Sequence, residues 1–348
     1  MSRRFAFLVH ALSPLHRHFM GLRRARPGLL FGWDDGVEPW SGGGRLARYR
    51  LGDIEGDILA VPLGPTQLLE DQARAVARME RMIRVWDDRR GYGAIGLGSL
   101  CAVVGGRGSA LAERVDVPIT TGGAATAWAL WQNVAAVADA RNITGPIAVV
   151  GSSGPVGKVV AALLAEEGRL VRVDSRRGGR GASVEVCASV EDTVHDAPLL
   201  VGAGPTGGTL DPALVRPDAL MVDVAIPGTF SERPPATVEV YAGEAVGVPA
   251  ALQRGIWGAL YQVLAGYGPW QLYACVIEPL VMVAEGRTEP FAVGRKLDAA
   301  TVRAFGDAAV ALGFRARLAR GMFEVQPSKG RRRLWSGRSA RRVPAAKR

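Results

Sequence analysis

Cysteine is scarce and scattered in this chain: Cys101, Cys187 and Cys275 are the only three in 348 residues. An odd number at such wide spacing argues against a disulfide framework and predicts a reducing compartment, the cytoplasm. No Cys-x-x-Cys pair occurs. Histidine numbers four, and His10, His16 and His18 fall close together. Residues two apart on a helix point to different sides, and no cysteine or acid stands at ligand spacing. These three read as surface and loop histidines, and no metal site is predicted. Long apolar runs are also missing. The most apolar region, 259–284, is interrupted by Gly266, Pro269, Glu278 and Pro279, which argues against a bilayer span. The run near the start breaks at His10 and Pro14 without a small-residue cleavage site, so it reads as a first strand rather than a signal peptide. The prediction is a soluble protein.

Acid is missing from one end. The last twenty residues carry nine lysines and arginines and no aspartate or glutamate; subtracting nine from the net charge of +10 leaves the rest near +1. The basic character is therefore a tail property, and the composition of 327–348 predicts disorder. Such a tail suits an acidic partner or an anionic membrane surface through counterion release. It specifies no particular nucleic acid.

With 48% apolar residues, the chain is long enough to bury a large core and to hold two or three domains. The strongest local pattern is 147–168, IAVVGSSGPVGKVVAALLAEEG. Four apolar residues read as a buried strand, and Gly151, Gly154 and Gly157 follow. Val159, Val160, Leu163 and Leu164 then mark an amphipathic helix. A strand, a glycine turn and a helix form a phosphate cradle: Gly151 permits the turn, Gly154 a close approach of backbone to pyrophosphate, and Gly157 tight packing of helix on strand. Ser152, Ser153 and Val156 complete the turn. The spacing is GxxGxxG, so a dinucleotide is the predicted ligand. Lys158 invites a P-loop reading, but five residues separate Gly151 from Gly157 and Val159 follows the lysine, whereas that loop needs four and then Ser or Thr.

Around this unit the chain reads in order. Residues 5–9 form a strand, and 15–22 a helix capped by Ser13 and Pro14. The Gly-, Arg- and Trp-rich stretch 23–56 is an irregular excursion with a short strand near 48–51. Leu68, Leu69, Ala73, Val76, Met79, Ile83 and Trp86 make one face of a long helix over 66–89. A strand and turn over 94–104 hold Cys101 as a buried thiol. Residues 115–123 run extended into a turn and 124–140 form a helix. At that turn Thr120, Thr121 and Gly122 suit an anion or a carbonyl oxygen, and suit an ordinary helix cap as well. Strand 170–173 ends at Asp174, the place of an acid that takes the ribose hydroxyls of NAD, while Arg176, Arg177 and Arg180 suit the 2′-phosphate of NADP. Residues 199–202 and 220–224 are later strands of the same parallel sheet, the second ending at Asp223. From 255 on the pattern turns helical, over 256–264, 270–285 and 299–312.

These elements predict an α/β fold: an N-terminal α/β domain (1–118), a central Rossmann-like doubly wound parallel sheet (119–250), a C-terminal helical unit (251–326) and the tail (327–348). Taken alone, Cys275 between Tyr273, Ala274, Val276 and Ile277 reads as a core thiol. The wider pattern gives it another meaning.

FAFLVHALSPLH at 5–16, LGPTQLL at 63–69, PITTGGAATAW at 118–128, the glycine turn, YACVIEPLVMVAEG at 273–286, PFAVGR at 290–295 and ALGF at 311–314 together resemble the long-chain fatty acyl-acyl-carrier-protein reductases, which form aldehydes. The resemblance runs from about residue 5 to 314, apart from 23–56. It departs at Gly123 and Ala125, where the family pattern carries Asn and His. It implies that Cys275, in its Ala-Cys-x-x-Glu context with Glu278, attacks a fatty acyl thioester of acyl carrier protein, and that the acyl-cysteine is then reduced. NADPH is the implied cofactor, with NADH open because of Asp174. Glu278 is assigned a structural role. Two other readings remain open on the residues: a shikimate-dehydrogenase-type NADP-dependent alcohol dehydrogenase, and a non-catalytic dinucleotide-binding protein with a basic interaction tail.

Overall fold

The protein is described from a computed structural model, which covers residues 3–10, 44–61, 63–179, 181–204, 207–225, 228–255, 268 and 270–320. The predicted helices at 15–22 and 256–264, Arg180 and the basic tail lie outside the described residues.

The first unit is built on β1 (Arg4–His10), β2 (Gly44–Leu51), β3 (Ile54–Val61), β4 (Ala94–Leu97) and β5 (Ile119–Thr120). They form one sheet in the order β2-β3-β1-β4-β5, parallel except for β2. Side chains on a strand alternate between faces, and β1 is apolar on both. Phe5, Phe7 and Val9 join the large central core, whereas Ala6 and Leu8 face a second core. That second core is covered by helices α1 (Pro65–Glu70) and α2 (Gln72–Arg90). The single long helix predicted over 66–89 is thus two. Asp71 breaks it by capping α2, its Oδ1 accepting from Arg74 N at 3.0 Å. The break also shifts the apolar stripe, so Leu68, Val76, Met79, Ile83 and Trp86 are buried while Leu69 and Ala73 are exposed.

The irregular excursion predicted to reach residue 56 gives way to structure earlier, since β2 and β3 form a hairpin over Gly44–Val61. β3 lies inside the sheet although its sequence carries Asp57, which is buried. The charge is tolerated because it is enclosed by partners: Tyr92 Oη donates to Asp57 at 2.8 Å and Arg90 Nε at 3.1 Å, with Arg45 and Arg48 at 3.5 and 3.6 Å. His10, expected at the surface, is also buried, with Nε2 3.2 Å from Ser99 Oγ. Cys101 is fully buried, as predicted.

Helix α3 (Gly123–Ala140) leads into the second sheet, whose strands are β6 (Ile147–Val150), β7 (Val171–Val173), β8 (Val184–Val186), β9 (Leu199–Gly202), β10 (Leu220–Asp223) and β11 (Glu239–Ala242), with α4 (Pro155–Glu166) following β6. Their order is β8-β7-β6-β9-β10-β11, all parallel. This is the 3-2-1-4-5-6 order of the doubly wound dinucleotide fold, and its direction reverses between β6 and β9. The apolar runs of β6, β9 and β10 are buried throughout, as a sheet covered on both faces requires.

The remaining elements are β12 (Ala245–Gly247), β13 (Gln271–Tyr273), α5 (Ala274–Ala284), α6 (Ala299–Ala311), β14 (Arg315–Ala316) and β15 (Ala319–Arg320). Strands β13 and β14, which fall in the region predicted to be helical, form a small antiparallel sheet with β12, and β15 adds an antiparallel edge to β11. Helix α5 lies against β1, β4 and α3. Glycine makes this approach possible: a Cβ on Gly96 of β4 would come within 2.6 Å of Phe7 and 2.8 Å of Pro279. Helix α6 docks on α3 through Trp128, Phe305 and Phe291, whose rings meet edge to face at 5.8 and 5.3 Å. Helix α5 is thereby held between the first sheet and α3.

Candidate active site

The glycine turn follows β6 at the point where the strand order reverses. Gly151 has φ +89°, and a Cβ there would sit 2.5 Å from Gly204 N, while a Cβ on Gly157 would sit 2.5 Å from Gly151 O. Both positions need glycine, and the cradle they leave fits a dinucleotide pyrophosphate at the start of α4, with Gly154 as N-cap and Pro155 as first helical residue. Ser152 is buried, Ser153 is exposed and Val156 is half-buried. Asp174 differs from its sequence-based role. Its Oδ2 accepts from Gly151 N at 2.7 Å and its Oδ1 from Ser152 N at 3.0 Å and from Ser152 Oγ. Both carboxylate oxygens are thus engaged in holding the turn. Arg176 and Arg177 are exposed beside it. Asp223 is structural, accepting from Ala225 N, Thr229 N and Thr229 Oγ1 at 2.7–2.9 Å.

Cys275 is the second residue of α5 and is half-buried. The Thr-Thr-Gly-Gly turn packs directly on it. Gly122 has φ +72°, and a Cβ there would lie 2.3 Å from Cys275 Cβ and 2.7 Å from its Cα. The contact between the two segments is therefore made through a hydrogen atom. Glu278, one turn along α5, clamps them together: the Thr120 hydroxyl donates to Oε1 and Ala125 N donates to Oε2 at 2.8 Å. Glu278 is fully buried, and burial pushes its carboxyl up to about 7 against the pull of those hydrogen bonds. Thr120 is buried with it. Thr121 faces the cavity described below, and its N donates to Ala292 O at 2.9 Å. The turn thus divides its two threonines between clamp and cavity, and the helix N-terminus of α3 is capped by Glu278 from α5.

One cavity of about 200 Å³ joins these pieces. Gly154, Pro155, Val156, Ala203 and Gly204 line it from the dinucleotide side, and Thr121, Gly123 and Cys275 from the other. Phe7 and Val9 from the first sheet and Leu100 from the turn after β4 supply apolar wall. The thiol is held well above its ordinary range, first by burial, then by the charges of Glu244 and Glu278; backbone N–H groups at the start of α5 oppose this. Glu244, which the sequence reading did not single out, is buried and lines the same cavity, and its carbonyl accepts from Ala274 N at 2.8 Å. The 292–297 turn and Arg107 also escaped that reading. PFAVGR at 290–295 belonged to the resemblance, but nothing in its composition marks a cavity wall. Cys187, half-buried beside Thr193, and Cys101 lie elsewhere. Among the described residues no helix is long and apolar enough to cross a membrane.

Strand order and glycine cradle define a Rossmann-type α/β protein. No family model matches the chain. It is 28% identical over 283 residues to a protein named aminotransferase PigE from Serratia sp. (strain ATCC 39006), a match spanning 75% of this chain and 32% of that protein. The chain therefore corresponds to about a third of that relative's length. Solved structures with partial similarity include an NAD-dependent malic enzyme from Thermotoga maritima (13% identity, 68% of this chain and 65% of that one, TM-score 0.30). Others are an NADPH-dependent glyoxylate/hydroxypyruvate reductase from Sinorhizobium meliloti (14%, 64% and 72%, 0.26) and a D-isomer specific 2-hydroxyacid dehydrogenase from Xanthobacter autotrophicus Py2 (15%, 85% and 98%, 0.31). Superpositions this loose carry no functional meaning.

Proposed function

We propose that the chain is a nicotinamide-dependent reductase that converts an acyl thioester, carried by acyl carrier protein, to an aldehyde through an acyl-Cys275 intermediate. The observation that carries this reading is the single cavity lined both by the dinucleotide cradle and by Cys275. Reduction of an acyl-cysteine needs a hydride donor and the cysteine in one water-poor space. The resemblance carried by 273–286 gives Cys275 the same role.

The cysteine thiol attacks the thioester carbonyl; the carrier thiol leaves and takes up a proton, and the acyl group is now bonded to Sγ. One thioester replaces another, so the exchange is close to isoenergetic. Because the resting thiol is protonated, attack needs a proton acceptor, and Glu244 is the acid beside the thiol that lines the cavity. Gly151, Gly154 and Gly157 would hold the cofactor pyrophosphate, and Val156 and Ala203 line the cavity shared with Cys275. A bound reduced nicotinamide would supply the hydride to the acyl carbonyl. Cys275 then leaves as the thiohemiacetal opens to aldehyde. NADPH is the favoured form: Asp174 is engaged with Gly151 and Ser152, whereas Arg176 and Arg177 stand exposed where a 2′-phosphate would lie.

Amino transfer consumes a carbonyl compound. A reductase unit that delivers an aldehyde is thus chemically coherent with the similarity to one third of a protein named for amino transfer.

The test is intact mass after incubation with acyl-carrier-protein thioesters. Wild-type protein gains one acyl group and releases it as aldehyde on addition of NADPH, while Cys275→Ser gains none. Wild-type protein that binds NADPH yet neither acylates nor releases aldehyde with any acyl thioester overturns the reading.

A further inference from the structure

Part of the cavity wall is formed by two turns that carry positive charge. The first, at 105–108, is GGRG, and all four residues have positive φ, Arg107 included at +62°. The second turns at Gly294, φ +68°, between Val293 and Lys296, which form an isolated antiparallel bridge. The turns are clasped by Gly294 N, which donates to Arg107 O at 2.8 Å. Arg107 is half-buried and lines the cavity; Lys296 lines it from the exposed rim, and Arg295 is exposed next to it.

Three cations therefore meet where two loops touch, and among the described residues none of the three forms an ion pair with an acid. The arrangement is costly. A non-glycine residue in the left-handed region is strained, and burial together with Arg295 pulls the Arg107 guanidinium below its ordinary range. An uncompensated cluster of this kind is what an anion site is before its anion arrives. Its position says which anion. Arg295 and Lys296 are exposed, whereas Arg107 and Cys275 are half-buried and line the cavity, so a ligand held by the cations has its charge near solvent and a neutral arm reaching to the thiol. Phe7, Val9, Leu100 and Val103 supply apolar wall to the same cavity, with Ser99, Thr121, Thr126 and Glu244 among its other polar lining.

We propose that Arg107, Arg295 and Lys296 bind the phosphate of a 4′-phosphopantetheine arm, so that the arm's thioester is presented to Cys275. This rests on the thioester reading above and deepens it, because it names the group by which the donor is held. The arm occurs both on acyl carrier protein and in coenzyme A, and its phosphate is common to the two.

The test is calorimetric binding of 4′-phosphopantetheine and of pantetheine, which lacks the phosphate, to the full chain with saturating NADPH present. Wild-type protein is expected to bind the phosphorylated compound at least about tenfold more tightly. The difference is expected to collapse in Arg295→Gln/Lys296→Gln, whose sites are exposed, and in Arg107→Gly, which removes the charge and relieves the positive φ. Equal affinity for the two compounds in wild type overturns the proposal, as does a phosphate preference that survives both variants. A preference seen without NADPH and abolished by it assigns the cations to the dinucleotide and also overturns it. Parallel titration with coenzyme A and with holo acyl carrier protein distinguishes the two sources of the arm. Because binding is measured without an acyl group, failure of Cys275 to acylate would refute the reductase reading alone, whereas loss of phosphate preference with acylation intact would refute this inference alone.

Discussion

Gly122→Ala is a stringent test of the site's geometry, because two independent costs fall on one methyl group. The first is conformational: Gly122 sits at φ +72° as N-cap of α3, and a residue with a Cβ loses about 1–2 kcal/mol there. The second is steric. The added carbon would lie 2.3 Å from Cys275 Cβ, 2.7 Å from its Cα and 3.1 Å from its carbonyl oxygen. Two of these three atoms are backbone, so no rotamer change relieves the clash, and α5 must move away from α3. Overpacking of this kind costs about 1–3 kcal/mol. The two together predict destabilisation of roughly 2–5 kcal/mol in urea unfolding at constant m value. Gly123→Ala is the internal control. Gly123 has no positive φ, and its added carbon meets the Cβ of Ala292 at 3.2 Å, so its expected cost stays below about 1 kcal/mol. Acyl transfer to Cys275 should fall steeply in the first variant and little in the second. If Gly122→Ala is no more destabilised than Gly123→Ala, the turn does not pack on the cysteine and the site as described is wrong.

Glu278→Gln changes the pH dependence of stability. The folded-state carboxyl is held near 7, against about 4.3 when unfolded, so between these values the folded protein binds the extra proton. Stability therefore falls as pH rises through that window, by on the order of 4 kcal/mol in total. The glutamine variant keeps an acceptor for Ala125 N and should show a flatter profile of ΔG against pH from 4 to 8; an unchanged slope would refute the assignment. Asp57→Ala should destabilise the first sheet by about 3–5 kcal/mol, because Arg90 and Arg45 lose a buried partner. A loss below about 1 kcal/mol would show that the arginines reach water.

Strands β6, β7, β9 and β10 of the second sheet were legible in the chain because their signals are local, whereas β8 and β11 carry no such signal. A four-residue apolar strand, three glycines at fixed spacing and a helical apolar face all fall within 147–168, and the later strands β9 and β10 are short apolar runs bounded by Gly and Pro. The first sheet was less legible. β3 carries Asp57 and Gly56 inside its run, and both break the pattern of a buried strand. What rescues them comes from far away in sequence. Arg90 neutralises the acid and Tyr92 donates a hydrogen bond to it, while the Phe5 ring occupies the space a Cβ on Gly56 would need, 2.1 Å from its Cζ. The break between α1 and α2 was hidden for the opposite reason: Asp71 is polar, and a polar residue on an apparently continuous helix reads as its solvent face unless its capping bond to Arg74 is known.

The candidate site shows the same division. Cys275, the glycine turn and the Thr-Thr-Gly turn each have a local signature, but their meeting does not. It depends on hydrogen atoms standing where side chains would collide, at Gly122 against Cys275 and at Gly151 against Gly204. Asp174 makes the point about chemistry. Its place at the end of β7 gives it the role of a ribose acceptor, yet both its oxygens are engaged by Gly151 N and Ser152 N of the turn it would be expected to serve from a distance. An acid that braces the cradle in this way has little left to offer the 2′- and 3′-hydroxyls, and the same bond network ties cofactor preference to the stability of the turn. Asp174 is therefore a poor lever for switching cofactor, since any substitution that frees the ribose edge also releases two backbone donors beside the pyrophosphate. On the proposed reading, Arg176 and Arg177, which hold no part of the turn through their side chains among the described bonds, are the positions where the choice between the two nicotinamide cofactors can vary without loosening the cradle.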